Sequence, residues 1–298
     1  MTREEKILLH VDKNGRGIEI GPGPNPIAPK REGYKVQVID HMGRDKLIKT
    51  FAAHNMDTKK IEDVDFIWKG ESYSELTGKN NYYDWIIASH VIEHVPDLIR
   101  FLKECEDILN DDGVLSLAVP DKRFCFDYYR PITGISRIID SYYQKLSIHS
   151  PGSMVEFYLN AVTNSGIGAW SNSAAKKMKF THSVDEAKQR LELVTADGKY
   201  HDVHAWCFVP HSFRLIIHDL NSLGLISLKE VSFSSTVGCE FYITLGKKGS
   251  GAEISRMEMV DRIEYELFQS YLFGKLPYLI IIKTLNLIKR IFRKIYQY

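Results

Sequence analysis

Apolar β-forming runs and candidate helices alternate along the first 120 residues. GIEIG, KVQVID, IEDVDFIW, YDWIIASH and VLSLAVP are short apolar runs, and ahead of the last of them Asp97 to Asn110 places Leu98, Phe101, Leu102, Cys105, Ile108 and Leu109 at i, i+3, i+4 and i+7 spacing. This rhythm predicts a parallel, doubly wound α/β sheet, because parallel strands need crossovers and the crossover helices then cover both faces. WIIA and LSLAV are apolar on both faces, as strands buried between helices must be. The helix should stop before the turn residues Asp111, Asp112 and Gly113.

Beyond Pro120 the pattern changes. Asp121 to Val203 is aromatic-rich and polar, is broken by PITG, SPGS and NSGIG, shows no clear strand, and reads as a helical insertion or lid. Regularity returns at Pro210 to Gly224, an amphipathic helix ending in glycine, followed by SLKEVSFSS and EFYITLG as a closing antiparallel pair. GKKGSG at Gly246 to Gly251 reads as a linker. In Leu276 to Tyr298, Ile281, Leu285, Ile288, Phe292 and Ile295 fall on one helical stripe opposite Lys283, Asn286, Arg290, Arg293 and Gln297. The predicted organisation is a domain over 1–247, with the insertion at 121–203, and a linker with an amphipathic basic tail over 248–298.

Composition narrows the class. With 298 residues, 44% apolar and 26% charged, disorder and collagen are excluded. No run of about eighteen apolar residues occurs, and Met1 to Lys13 is charged where an export signal is apolar, so a cytoplasmic chain is expected. Cys105, Cys125, Cys207 and Cys239 lie far apart, which argues for free thiols rather than a disulfide framework or a cysteine zinc site. The net charge is +1, yet Lys275 to Tyr298 carries six cations and no acid, leaving −5 on the remainder. A mildly acidic body does not suit nucleic acid. The tail fits either an anionic membrane surface, at the inner face of a membrane, or a helix packed on the body or on a second subunit.

The candidate chemistry begins at Glu19-Ile20-Gly21-Pro22-Gly23, which follows a strand and opens a glycine-bearing turn where backbone can approach a ligand. Asp40 ends the next apolar run nineteen residues after Gly21, where a carboxylate can accept hydrogen bonds from both ribose hydroxyls of an adenosine group. The pair is more specific than either part. GPGPNP lacks the third glycine of G-x-G-x-x-G, which disfavours NAD and favours a nucleoside without phosphates.

GIEIGPG, VIDH, YDWIIASHVIEHVPD and DDGVLSLAVPDK, over roughly Gly17 to Lys122, resemble the class I S-adenosylmethionine-dependent methyltransferases, and Pro210 to Leu245 fits the last helix and hairpin of that fold. DKRFCFDYYRP and DVHAWCFVP further resemble a bacterial subgroup linked to cell-surface polysaccharide synthesis. The resemblance implies a Rossmann-like doubly wound sheet of about seven strands, mostly parallel with the last antiparallel, a helical insertion after strand five and a C-terminal amphipathic helix. It also implies that Gly21, Pro22 and Gly23 pass the methionyl moiety of S-adenosylmethionine, that Glu19 orients its amino end, and that Asp40 holds the ribose. His41 would lie beside the adenine, Asp65 and Phe66 at the end of strand three would meet its amino group and ring, and Ser89 would contact the methionine backbone. Pro24 stands where the family places a small residue, and Asp65 reads equally as a solvated loop acid.

An alcohol acceptor needs a base. Candidates at the carboxyl edge are His90, Asp121 and His204, with His94 and His201 as further histidines; His94 and His204 read equally as buried, hydrogen-bonded structural residues. His90-Val-Ile-Glu93-His94 spells H-x-x-E-H, an inverted zinc-protease signature. Its place at a strand tip in a nucleoside-binding sheet argues against a protease. It also resembles the metal-holding E-x-x-E-H of some quinone-pathway O-methyltransferases, but His90 in place of the first acid weakens that reading, so a divalent metal stays open without being favoured. Lys122, Arg123, Tyr128 and Arg130 combine cations and rings suited to an anionic or sugar acceptor, or to a salt-bridged hinge with Asp127 and Asp140 as partners. Trp170, Trp206, Tyr142, Tyr143 and Tyr158 read first as lid core.

The expected function is methyl transfer to a sugar hydroxyl of a cell-envelope glycan, of O-antigen, lipopolysaccharide or capsule type, or of its precursor. The alternatives are a small-molecule or lipid or quinone-precursor methyltransferase, and a non-catalytic cofactor-binding partner of glycosyltransferases at the membrane.

Overall fold

The computed structural model describes residues 1–171, 177–275 and 288. Among them the strands are β1 (Gly17–Ile20), β2 (Val36–Asp40), β3 (Phe66–Ile67), β4 (Tyr83–Ser89), β5 (Leu109–Pro120), β6 (Val162–Asn164), β7 (Met178–Phe180), β8 (Lys229–Val237) and β9 (Glu240–Gly246). The helices are α1 (Arg3–Ile7), α2 (Arg44–Ala53), α3 (Tyr73–Thr77), α4 (Leu98–Ile108), α5 (Ile135–Tyr143), α6 (Pro151–Asn160), α7 (Val184–Asp197), α8 (Pro210–Ser222) and α9 (Arg256–Lys275).

Seven strands form one sheet in the order β3-β2-β1-β4-β5-β9-β8. β1 to β5 pair in parallel, and β9 runs antiparallel to both β5 and β8. This is the expected Rossmann-like sheet, with its last strand reversed. The chain order changes direction between β1 and β4, and in such sheets the crevice outside the carboxyl ends at that point is where ligands bind.

Both faces of the central strands are apolar because both are covered. Trp85 and Ile87 pack with Ile7, Ile27, Ala28 and Val36, whereas Ile86 and Ala88 face Leu98, Leu102, Phe213 and Ile217. α4 begins at the Asp97 side chain, which accepts from Arg100 N, and buries Leu98, Phe101, Leu102, Cys105 and Ile108 in the predicted register. α8 ends ahead of Gly224, whose φ of +70° suits glycine. α9 packs on α8, burying Met259 and Ile263 and accepting from His211 through Glu266.

Two expectations are corrected, and two helices were not foreseen. The insertion contains strands: β6 and β7 form an antiparallel pair, each too short at three residues for alternation to reveal. β3 is two residues long, and Asp65 precedes it rather than ending it. The capped helix α1 and the crossover helix α2 carry no strong apolar stripe and escaped the periodicity. No helix among the described residues is long and apolar enough to cross a membrane. The tail from Leu276 to Tyr298, apart from 288, lies outside the described residues.

Candidate active site

The turn after β1 is shaped by backbone. Gly21 and Gly23 have φ of +60° and +51°, and a Cβ would stand 3.3 Å from Val91 Cγ2 at Gly21 and 3.1 Å from the Phe51 ring at Gly23. The buried Glu19 carboxylate accepts from Ile27 N at 2.7 Å and Ala28 N at 3.1 Å, closing the loop back on the sheet. Burial pushes its pKa up to about 7 against the opposing pull of those two amides. Glu19 therefore builds the cradle, a correction to a role in which it reaches a ligand. Asp40, buried at the end of β2, accepts from His41 N at 2.7 Å through Oδ1. The exposed His41 ring lies 2.7 Å from the same oxygen, and that hydrogen bond raises its pKa despite partial burial. Asp65 is otherwise engaged: its Oδ2 accepts from Val38 N at 2.7 Å and Lys30 Nζ at 2.5 Å, ahead of β3 and away from the carboxyl edge. Phe66 is half-buried and packs against the main core.

At the tip of β4 the chain turns through His90 at φ +54°, a left-handed conformation uncommon for a residue with a Cβ. Its Nε2 lies 2.6 Å from Glu240 Oε2 at the start of β9. Arg3 of α1 links Glu240 to Ser89, donating to Glu240 Oε1 at 2.5 Å and to Ser89 Oγ at 2.7 Å, and Tyr242 donates to Glu240 Oε1 at 3.0 Å. Burial alone would raise the Glu240 pKa, but His90 and Arg3 hold it down at about 2. Burial likewise works against a charged His90, and the Glu240 hydrogen bond with the nearby Glu93 charge outweighs it, so its pKa is raised.

Behind His90 lies a second group. Glu93 Oε1 is 3.6 Å from His90 Nδ1, 3.8 Å from His94 Nε2 and 3.9 Å from His204 Nε2. His94 Nδ1 meets Asp202 at 2.8 Å and His204 Nδ1 meets Asp127 at 2.5 Å. Asp127 is buried, which alone would raise its pKa, yet His204 and Arg130 bring it to about 2.

The remaining candidates are engaged within the protein. Asp121 has no exposed surface and accepts a two-pronged contact from Arg123, Nε to Oδ1 at 2.9 Å and Nη2 to Oδ2 at 2.5 Å, with Thr236 Oγ1 on Oδ2 at 2.5 Å. Asp121 is thus corrected from base to buried anchor, and Arg123 from acceptor contact to its partner. Arg130 is fully buried between Asp127 at 2.7 Å and Glu156 at 3.0 Å. Lys122 is buried too, with Nζ donating to Tyr128 O at 2.7 Å, and burial lowers its pKa. The salt-bridged reading of this segment holds for Arg123 and Arg130, whereas Lys122 is held by a backbone carbonyl. Tyr128 packs against Trp170 with ring centroids 6.2 Å apart, and His201 meets Asp197 at 2.8 Å on α7. The structure gathers Ser89, His90, Glu93, His94 and His204, and keeps Asp40, His41 and the glycines on the adjacent turn.

A cavity of about 220 Å³ opens beside this group under α5, lined by Arg137, Asp140, Gln144, His149 and Trp206. Ala205, on its wall, donates to Glu93 O at 2.6 Å, which ties the cavity to the histidines. Arg3, Glu240, Arg137 and His149 are the site residues that sequence reasoning missed. The one available signal was the charge of Arg3 and Glu240 next to apolar elements, which looks the same at any surface.

Residues 5–219 match a family described as a methyltransferase domain. Among solved structures, the chain is similar to the trans-methyltransferase CalH in complex with SAH, at 15% identity over 81% of this chain and 54% of that chain, with a TM-score of 0.39. It therefore spans about half the length of that protein. Similarity also extends to protein PH0226 from Pyrococcus horikoshii OT3, at 12% identity over 81% of this chain and 87% of that one, with a TM-score of 0.41. A SAM-dependent methyltransferase from Thermotoga maritima is 17% identical over 82% of this chain and 89% of its own length, with a TM-score of 0.35. No curated protein matches the sequence.

Proposed function

The chain belongs to the methyltransferase-domain family, enzymes dependent on S-adenosylmethionine, and from that premise we propose that its acceptor is a sugar hydroxyl of a cell-envelope glycan or of the precursor of one. The observation that carries this reading is the cavity beside the histidines, lined by Arg137, Asp140, Gln144 and His149, with the buried Trp206 in its wall. Donors and acceptors converging on a cavity of about 220 Å³ suit a hydroxyl-rich ring such as a pyranose.

The residues present fit the methyl donor. A cradle that a Cβ at Gly21 or Gly23 would crowd admits a ligand against backbone, and the buried Asp40 carboxylate at the strand end is an acceptor for ribose hydroxyls. S-adenosylmethionine supplies a sulfonium methyl open to attack by an oxygen nucleophile. The chain's part is to hold the acceptor close to that position and to remove the hydroxyl proton. His90 suits the second task. With Nε2–H donated to Glu240, Nδ1 carries the lone pair that takes the proton, and the Glu240 charge stabilises the imidazolium that results. Arg3 and Tyr242 fix Glu240, so they position the base. The basic stripe of residues 276–298, read from sequence, supports an acceptor carried at an anionic membrane surface.

The test is calorimetric titration with S-adenosylmethionine and with NAD, followed by transfer of a labelled methyl group to free and nucleotide-linked sugars. Binding of the methyl donor alone is expected, with transfer reduced about 100-fold or more in His90→Gln at unchanged donor affinity. Binding of NAD alone would overturn the donor site, and donor binding with transfer only to non-sugar acceptors would overturn the glycan.

A further inference from the structure

We propose that Glu93, His94 and His204 form a binding site for one first-row divalent transition metal ion, of which Zn²⁺ fits best. The first observation is an unsatisfied carboxylate. Glu93 is 1% exposed, and neither of its oxygens has a hydrogen-bond partner. Carboxylates removed from water are ordinarily hydrogen-bonded, ion-paired or metal-bound, so two bare oxygens in the interior call for a cation.

The second observation is what faces them. His94 Nε2 and His204 Nε2 approach Glu93 Oε1 at 3.8 Å and 3.9 Å, with His90 Nδ1 at 3.6 Å from the same oxygen, and the ligand atoms of Glu93, His94 and His204 lie within 4.8 Å of one another. Ligands about 2.0–2.1 Å from a tetrahedral zinc ion are roughly 3.3 Å apart, so an ion would need inward shifts of a few tenths of an ångström.

The third is the outer shell. Each imidazole has its Nδ1 against a carboxylate, His94 on Asp202 at 2.8 Å and His204 on Asp127 at 2.5 Å. These acids are themselves held, Asp202 by the Tyr200 hydroxyl at 2.9 Å and Asp127 by Arg130 Nη1 at 2.7 Å. A carboxylate on one ring nitrogen fixes the tautomer that offers the other nitrogen's lone pair, and metal-binding histidines are almost always supported in this way. Both Nε2 atoms consequently point their lone pairs at the bare carboxylate. Two imidazoles and one carboxylate select zinc, cobalt, nickel or iron over magnesium and calcium, which prefer all-oxygen sets. His94 is partly exposed, which leaves a side open for a further ligand.

The site stands on this geometry alone. If the methyl-transfer reading also holds, an acceptor hydroxyl bound at the open side would have its pKa lowered by the ion and would pass its proton to His90, its oxygen taking the methyl group as the donor's S–CH3 bond breaks and S-adenosylhomocysteine leaves.

The same atoms would otherwise be two imidazolium ions held by one carboxylate, and Co²⁺ separates the two cases. Full-length protein without a histidine tag, stripped with EDTA and desalted, is titrated with Co²⁺ in the absence of methyl donor and followed by visible absorption and calorimetry. We expect one Co²⁺ per chain with visible bands, displaced by one equivalent of Zn²⁺ and not by Mg²⁺. Glu93→Gln should weaken binding at least 100-fold, and Asp202→Asn, in the outer shell, about 10–100-fold. Absence of absorption and heat in the unaltered protein overturns the site whether or not the variants fold, as does Co²⁺ binding unchanged in folded Glu93→Gln. Donor affinity is measured separately, so Co²⁺ binding without S-adenosylmethionine binding ends the transfer reading alone, and the converse ends the metal site alone.

Discussion

Around Gly21 and Gly23 the chain is shaped by backbone, with two amides on the buried Glu19 carboxylate and apolar Ile27 and Ala28 beneath. Between 121 and 204 it is tied down by charge, with Arg123 on Asp121 and Arg130 between Asp127 and Glu156, and His204 completing the Asp127 shell. The two regions meet at the same sheet edge and should fail differently. A backbone cradle loses little when one nearby side chain is trimmed, whereas a buried ion deprived of its partner remains charged and unsolvated.

The largest expected effect therefore falls on the lid. Asp127→Ala leaves His204 without its Nδ1 partner and Arg130 with Glu156 alone, and should cost about 3–5 kcal/mol in chemical unfolding, with hydrogen exchange accelerating over α5 to α7 before it does over β4. Equal acceleration in both regions would remove the contrast. Leu117→Ala, in the fully buried centre of β5, supplies the control: about 2–5 kcal/mol lost from the whole domain, lid and cradle together. Asp40→Ala should leave unfolding almost unchanged while weakening S-adenosylmethionine by about 1.5–3 kcal/mol in calorimetry, the worth of hydrogen bonds to a charged acceptor.

The smallest effect is a change of pH that moves the two regions in opposite directions. Burial lowers the His149 pKa to about 4 from 6.5, so its contribution to the lid is complete above pH 6.5 and is lost as the pH falls through 4. Burial raises Glu19 to about 7 from 4.5, so its contribution to the cradle is complete below pH 4.5 and is lost as the pH rises through 7. Between pH 7 and pH 5 the cradle should tighten as the lid loosens, read from exchange rates corrected for intrinsic chemistry. Parallel changes in both regions would show that these two groups do not control them.

The sheet was legible because burial on both faces leaves long apolar runs, and the cradle because positive φ demands glycine at fixed positions. Asp40 was legible for the same reason, as a carboxylate ending a strand at a set distance from that turn. The lid was not. Arg123 and Arg130 have the composition of an acceptor site, and only the positions of Asp121, Asp127 and Glu156 reveal that their charges are spent internally. Glu93 was visible as part of H-x-x-E-H, but its partner His204 lies 111 residues along the chain, beyond the reach of any local spacing. β3 misled because its apolar run continues past the two residues that pair, which placed Asp65 at the wrong end of the strand.

The bridge from Arg3 to Glu240 spans 237 residues of sequence. During synthesis α1 emerges before β9 and must wait for it, and until then Glu240 is not in place to fix the His90 imidazole. Contacts so distant in sequence form late. Assembly of the edge that holds Ser89, His90 and Glu240 together is thereby deferred until nearly the whole domain has been made.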